Sequence, residues 1–478
     1  MADLRQWLDQ VEEIGQLQRV SGADWDGEIG AISELWGSEA QALLFDEIKG
    51  YPKGSRVLTN ALRSPQRIAL AAGLPPCANK MELVRQLRQL FAGLRPLDPE
   101  WVDDGPVLEH VKFGHDINLW EFPVPKWHAD DGGRFIGTGC LSITRDPDTG
   151  WVNFGAYRVM VHDERTAGIF ITVGKHGRQP LEKHWSRGES CPVAVACGQH
   201  PLLFMLSGHE VPDGVSEYAY AGGLRGEPVP VVPTPIHKLP VPANAEIVIE
   251  GEIPPNEQML EGPFGEWTGY YASGATPKPI IRVQSVLHRS RPILLGAAPG
   301  KVPSDSTYYR SPFKAAAMWD QLEAAGVPGV MGVWCHEAGG ARMVHVVAIE
   351  QKYPGHSRQA AHVAAFSGQG VHNGKLTVVV DADVDPTDLE QVVWAICTRT
   401  DYRWDIERVD RVWTSVNDPM QYQEPGGADF SSRLIIDACI PWERRKNFPR
   451  ACRVSDEERK TILEKWQALF AGRRQVGT

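Results

Sequence analysis

Apolar positions at the start of the chain recur at helical spacing. Leu4, Trp7, Leu8, Val11 and Ile14 share one face, Asp3 stands where a cap belongs and Gly15 follows the run. This predicts a first helix. A second is expected over 28–36, a short strand over 42–45, and a helix over 81–94 whose Asn79 and Glu82 have capping-pair spacing. From about residue 106 the period shortens. Apolar runs at 157–161, 168–173, 193–197, 202–206, 246–253, 279–288 and 292–297 are separated by Gly, Pro and Asp. Strands at this density predict a largely antiparallel barrel or sandwich. The stretch 312–325 opens on proline and is followed by Gly326, which predicts a connecting helix. Beyond it, strand-like runs at 330–334, 343–349 and 376–380, with a helix over 386–398, indicate a second α/β layer structure. A tail helix over 455–471, with Ser455 and Glu458 in capping-box spacing, carries Ile462, Trp466, Leu469 and Phe470, which need a partner surface on this chain or another subunit.

Composition narrows the picture. At roughly 150 residues per domain, 478 residues suggest about three units, each able to bury its own core. The pattern divides them into an N-terminal α/β part (1–105), a β-rich middle (106–310), a connecting helix (311–330), a C-terminal α/β part (331–453) and a tail helix (454–478). No apolar run approaches the ~18 residues that span a bilayer, so no membrane partner is expected. A net charge of -11 argues against a nucleic-acid partner while leaving room for a local anion pocket. Eight cysteines without a CxxC pair disfavour a zinc ribbon or redox pair. The amphipathic N-terminus does not resemble a signal segment, so the cytoplasm is the expected compartment.

Three stretches could carry chemistry. In 261–271, Glu261 and Glu266 are separated by Gly262, Pro263, Phe264 and Gly265. Five residues apart on a straight strand they would face opposite sides, but a Gly-Pro turn can bring both to one wall, where crowding favours a proton on one of them. On spacing alone, a turn with two solvated glutamates is the more common reading. The second stretch, 151–158, ends in Arg158 among apolar neighbours, where its guanidinium needs an anion: a structural carboxylate or a substrate carboxylate. Gly155 could mark a bulge that turns Asn153 and Arg158 into one cavity. The third comprises Lys175, His176 and, further on, Glu217. Asn153, His176 and Glu217, expected on separate strands, form an oxygen and nitrogen set suited to Mn2+ or Mg2+. By spacing alone His184, His200 or His209 would serve as well. Asp381, Asp383 and Asp385 lack the glycine and glutamate of a calcium loop, and Cys335 beside His336 would diverge on a strand; both read as structural.

Together, Asn153-x-Gly155-x-Tyr157-Arg158, Lys175-His176, Glu217-Tyr218-x-x-Ala221-Gly222 and Glu261-Gly-Pro-Phe-Gly-Glu266 with Thr268-Gly269-Tyr270 resemble the UbiD family of prenylated-FMN-dependent decarboxylases. The resemblance implies an α+β / α/β multidomain chain: an N-terminal α/β domain, a central split β-barrel of flavin-reductase type, a connecting helix, and a C-terminal α/β dimerisation domain with its tail helix. It implies that Asn153, His176 and Glu217 hold Mn2+ or Mg2+ beside the flavin phosphate. A K+ site would use main-chain groups near Trp151 and Ser207. Gly155, Ala156, Tyr157, Arg158 and Lys175 would join the three metal ligands in binding the cofactor, and Arg158, Glu261 and Glu266 would be catalytic. The implied reaction is reversible decarboxylation of an aromatic, heteroaromatic or α,β-unsaturated acid through a covalent adduct with prenylated FMN, Glu266 returning the proton. A flavin prenyltransferase would supply the cofactor, and a homodimer or higher homo-oligomer is implied. Arg433 stands where the family tends to carry lysine, and its role is open. Competing readings are a conventional FMN oxidoreductase, which would not need Glu266, and a metal-dependent hydrolase, active without flavin.

Overall fold

The computed structural model describes residues 3–37, 40–172, 174–209, 211–212, 214–272, 274–423 and 429–470. They form two compact units. The first comprises residues 1–313, 337–341 and 415–421; the second comprises 314–336, 342–414 and 422–478.

The first unit begins with helix Leu4–Glu13, capped by Asp3, whose side chain accepts the Gln6 N–H while Gln6 returns the bond. Leu4, Trp7, Leu8 and Val11 are buried, as their spacing requires. A four-stranded sheet follows in the order Leu17–Ser21, Ala42–Asp46, Arg56–Thr59, Ile293–Leu295, with helix Glu28–Leu35 as its parallel crossover. The last strand lies in the apolar run expected to belong with the β-rich middle, yet it pairs in parallel with Arg56–Leu58. Helix Lys80–Ala92 starts at Asn79, which accepts the Glu82 N–H at 2.8 Å.

The middle of this unit is an antiparallel sheet of ten strands. Its path runs Arg134–Gly137, Val159–Val161, Thr166–Ile169, Thr276–His288, Ile247–Ile253, Cys191–Cys197, Leu141–Arg145, Val152–Gly155. Strands His110–Phe113 and Gln258–Glu261 pair with different parts of the long strand Thr276–His288. The sheet curls: Cys197, five strands along the path from Ile136, lies with its Sγ 3.6 Å from the Ile136 carbonyl. Phe135, Ile143, Val159, Val193, Val195, Ile249 and Ile281 are fully buried along it.

Two expectations for this region need correction. The run 202–206 is helix Pro201–Ser207, not a strand; Pro201 occupies its first turn, the His200 ring accepts the Leu202 N–H, and residues 201–206 are buried all round. The run 168–173 contributes only to strand Thr166–Ile169, and Val173 lies outside the described residues.

The second unit is a sheet in the order Val330–Cys335, Val344–Ile349, Leu376–Asp381, Asp429–Ala438, Ile406–Trp413, with Tyr422–Gln423 alongside Asp429–Ala438. Helix His356–Phe366 makes a parallel crossover, whereas helix Leu389–Arg399 leads into the antiparallel strand Ile406–Trp413. The second of these helices begins three residues later than Pro386 suggested, because Asp388 accepts the Glu390 and Gln391 N–H groups and so caps the first turn. The aspartates before it form a polar turn, and the Arg399 guanidinium grips Asp383 at 2.8 Å through both of its oxygens. Arg433 is buried and donates to the carbonyls of Ala365, Gly370 and Val371, so its fork is spent on main chain. Residues 454–478 supply helices Asp456–Lys465 and Gln467–Phe470, with the Ser455–Glu458 capping box in place; positions 471–478 lie outside the described residues. Ile462, Trp466 and Leu469 are exposed on the single chain. No described helix is long and apolar enough to cross a membrane.

Candidate active site

Three segments deliver the candidate acid–base residues. Arg158 immediately precedes strand Val159–Val161, Glu261 ends strand Gln258–Glu261, and Glu266 lies in the loop that follows. Gly262, at φ +88°, adopts the left-handed turn that a side chain would resist. The loop thereby brings the second carboxylate to the same guanidinium. Arg158 Nε donates to Glu261 Oε1 at 2.7 Å and Nη2 to Oε2 at 3.2 Å, a forked pair, while Nη1 donates to Glu266 Oε1 at 2.6 Å. The Glu261 side chain is 1% exposed and that of Arg158 10%, so solvent screens the pair weakly.

The surroundings are aromatic and basic. The Arg158 guanidinium lies 4.8 Å from the Phe170 ring centre and 5.3 Å from that of Phe264. Lys278 Nζ stands 4.0 Å from the Phe170 ring centre. Burial, and then the Arg158 charge, push its amine below the usual lysine range. His162 and Glu261 both pack against Gly168: a Cβ there would lie 2.8 Å from His162 Nε2 and 3.5 Å from Glu261 Cγ. Burial lowers the affinity of that imidazole for a proton. Phe170, Lys278 and His162 were not singled out from the sequence, since none carries a motif.

A second cluster joins Asn153 to Glu217. Asn153 lies on strand Val152–Gly155, but Glu217 opens helix Glu217–Arg225, capped by Ser216, and His176 lies between strand and helix. The three therefore do not come from three strands, as the pattern suggested. Asn153 Nδ2 donates to Glu217 Oε1 at 2.6 Å and the Phe154 N–H to Oε2 at 3.0 Å. Both side chains are buried, and among the described residues Asn153 Oδ1 has no hydrogen-bond partner. Burial pushes the Glu217 carboxyl up to about 7 against those two donors. An unpartnered oxygen beside a carboxylate short of positive charge is the environment a hard divalent cation satisfies.

Tyr157 ties the remaining motif residues to this cluster. A Cβ on Gly155 would lie 2.6 Å from its ring and one on Gly177 2.8 Å, so the ring is wedged between two glycines. Its hydroxyl accepts the Gly177 N–H at 3.2 Å. Burial pushes that phenol up to about 12, which keeps it neutral. The wedge holds the Lys175–Gly177 segment against the strand, and the His176 ring meets Trp151, two residues before Asn153, edge-on at 5.6 Å. Ala156 N–H donates to the Ser207 carbonyl at 3.1 Å, which joins this strand to helix Pro201–Ser207.

Comparison with known proteins agrees along the whole chain. Residues 8–89, 100–302 and 307–438 match, in turn, the N-terminal, Rift-related and C-terminal domains of 3-octaprenyl-4-hydroxybenzoate carboxy-lyase, UbiD. A pyrrole-2-carboxylic acid decarboxylase of Pseudomonas aeruginosa is 34% identical over 458 residues, covering 92% of this chain and 91% of the relative. A phenolic acid decarboxylase of Streptomyces sp. (strain D7) is 31% identical, covering 92% of each. The solved structure of the UbiD-class enzyme HmfF from Pelotomaculum thermopropionicum in complex with FMN superposes with a TM-score of 0.86 at 30% identity, covering 97% of this chain and all of that one. An evolved dimeric form of HmfF in complex with prFMN gives 0.83 at 29% identity, covering 98% and 100%. With all three domain models matched in order and relatives aligned nearly end to end, the chain belongs to the UbiD family of decarboxylases.

Proposed function

We propose that this protein reversibly decarboxylates an aromatic, heteroaromatic or α,β-unsaturated carboxylic acid on prenylated FMN held by the curled sheet, which serves as a split barrel of flavin-reductase type. The observation that carries this reading is a single buried guanidinium bonded to two carboxylates. Asn153, His176 and Glu217 would hold Mn2+ or Mg2+ beside the flavin phosphate. The orphaned Asn153 oxygen and the raised Glu217 carboxyl support the fit. Main-chain groups near Trp151 and Ser207 would take K+. Gly155, Ala156, Tyr157, Arg158 and Lys175 would line the cofactor. When bound, prenylated FMN supplies an electrophilic carbon that accepts the electron pair left as carbon dioxide departs.

The protein's part is positioning and proton transfer. Arg158 orients the substrate carboxylate with its remaining N–H donors. Glu261, gripped by the fork, fixes the guanidinium plane. The guanidinium balances one carboxylate, so the second is the natural carrier of a proton, and Glu266 returns that proton to the carbon that lost carbon dioxide. The exposed Trp394, Tyr402, Trp404 and Trp413 of the second unit support pairing with a second copy there, in a homodimer or larger assembly. All eight cysteines are free thiols, which supports a cytoplasmic setting.

The test is production with and without a flavin prenyltransferase, followed by a panel of such acids scored for carbon dioxide release. Activity is expected only with the prenyltransferase. Equal decarboxylation in both preparations overturns the cofactor assignment.

A further inference from the structure

Asp131 lies outside every motif that marks this site, yet it is buried, with 4% of its surface exposed. Its carboxyl group gathers donors from two places. One oxygen, Oδ2, accepts the His128 N–H at 2.9 Å, and the other, Oδ1, accepts the Tyr271 hydroxyl at 3.0 Å. Gly132 continues the seam. Its N–H donates to the Pro263 carbonyl at 2.8 Å, and a Cβ on it would fall 1.8 Å from the Gly262 carbonyl oxygen. Asp131 and Gly132 therefore grip the 262–271 loop on both sides of Glu266. Between those grips the loop carries two main-chain bonds of its own, Glu266 N–H to Tyr270 O and Gly269 N–H to Glu266 O, both 2.9 Å. These shape a turn around Glu266 without fixing where that turn stands. The anchor is external: a buried carboxyl group that accepts the Tyr271 hydroxyl beyond Glu266, next to a Gly132 N–H bonded to the Pro263 carbonyl before it, resists displacement of either flank.

We propose that Asp131 is a positioning residue for proton return, setting the place of Glu266 relative to Arg158 by holding the Tyr271 flank of its loop while its neighbour Gly132 holds the Pro263 flank. The proposal rests on the reading of Glu266 as proton donor. Removing one acceptor lets the carboxyl of Glu266 drift, and sub-ångström to 1 Å errors in such placements are costly to turnover and cheap for binding.

Asp131→Asn keeps the size of the side chain and one acceptor, but turns an NH2 group towards a donor. Tyr271→Phe removes one donor at a half-exposed position. Both are prepared with a flavin prenyltransferase, with Glu266→Gln as reference. The readouts are kcat, KM, flavin content, and exchange of the product's C–H with D2O at the carbon that lost carbon dioxide, which reports proton transfer without carbon–carbon cleavage. Asp131→Asn is expected to lower kcat and exchange in parallel by about 10- to 100-fold, with KM within about threefold and flavin content at the parent level. Tyr271→Phe is expected to lower both in the same ratio, by less. A fully loaded Asp131→Asn with kcat and exchange unchanged overturns the proposal, as does a rise in KM with exchange intact. Should Asp131→Asn fail to fold, unchanged turnover and exchange in Tyr271→Phe overturn it instead. Normal exchange in Glu266→Gln overturns the donor assignment itself, a different result from failure of the Asp131 variants alone.

Discussion

Asn153 and Glu217 share a 2.6 Å hydrogen bond that engages the amide nitrogen of one and leaves its oxygen, among the described residues, without a partner beside the carboxyl of the other. In metal-free protein this pair is a liability. Burial raises Glu217 from its ordinary 4.5 to about 7, so the folded state holds a proton that the unfolded chain has released. Stability of the metal-free protein should therefore fall as pH rises from about 4.5 to 7 and level off above, by about 3 kcal/mol in all. Denaturant titrations across that window check the slope. Adding Mn2+ at pH 7 should restore stability and release a fraction of a proton per site, measurable by calorimetry in buffers of different ionisation enthalpy. Glu217→Gln should remove both the slope and the response to Mn2+.

Glu266→Gln keeps the shape of the loop and one acceptor for Arg158 but carries no transferable proton. Turnover should fall by about 10²- to 10⁴-fold while flavin content holds. Steady-state rates and absorbance spectra of the purified variant decide; an unchanged rate removes Glu266 from the mechanism.

Arg158→Ala strands Glu261, whose side chain is 1% exposed, without its counter-charge. Breaking a buried pair from one side costs about 3–5 kcal/mol, so this variant should be far less stable than its effect on solvent-facing charges would suggest. Equilibrium unfolding of Arg158→Ala and of the double variant Arg158→Ala/Glu261→Gln checks it: the double variant should recover part of the loss.

Gly155→Ala places a methyl group 2.6 Å from the Tyr157 ring. Overpacking of this kind costs about 1–3 kcal/mol, and here it should also push the Lys175–Gly177 segment away from the strand. Weaker retention of flavin and Mn2+ is expected, by dialysis and metal analysis, in a larger measure than the fall in melting temperature predicts.

Arg433→Lys tests the opposite kind of residue. A lysine cannot span three carbonyls, so about 1–3 kcal/mol of stability should be lost. Turnover per bound flavin should be unchanged, because the Arg433 fork is already filled by Ala365, Gly370 and Val371.

The parts of this molecule legible in its sequence are those with a local physical signature. The capped helices at Leu4–Glu13 and Lys80–Ala92 announce themselves by side-chain period and cap. Glu261 and Glu266 are legible as a pair because Gly262 and Pro263 demand a turn between them. Their meeting with Arg158, 103 and 108 residues away, follows from no spacing and came only through resemblance. The run 202–206 reads as strand, and folds as helix, because a fully apolar stretch has no period to distinguish strand from buried helix. Strand Ile293–Leu295 was misplaced for a related reason: three apolar residues show that they are buried, not which sheet buries them. His162 and Asp131 were invisible, since a lone histidine or aspartate acquires significance only from what folds against it.

The return of Ile293–Leu295 to the N-terminal sheet bears on how this chain can be dissected. A fragment starting near residue 106 would leave that strand without Arg56–Thr59, baring a hydrogen-bonding edge that invites aggregation. Truncation libraries and domain-exchange chimeras should therefore tolerate breaks at exposed loops within the first 300 residues less well than the domain map implies.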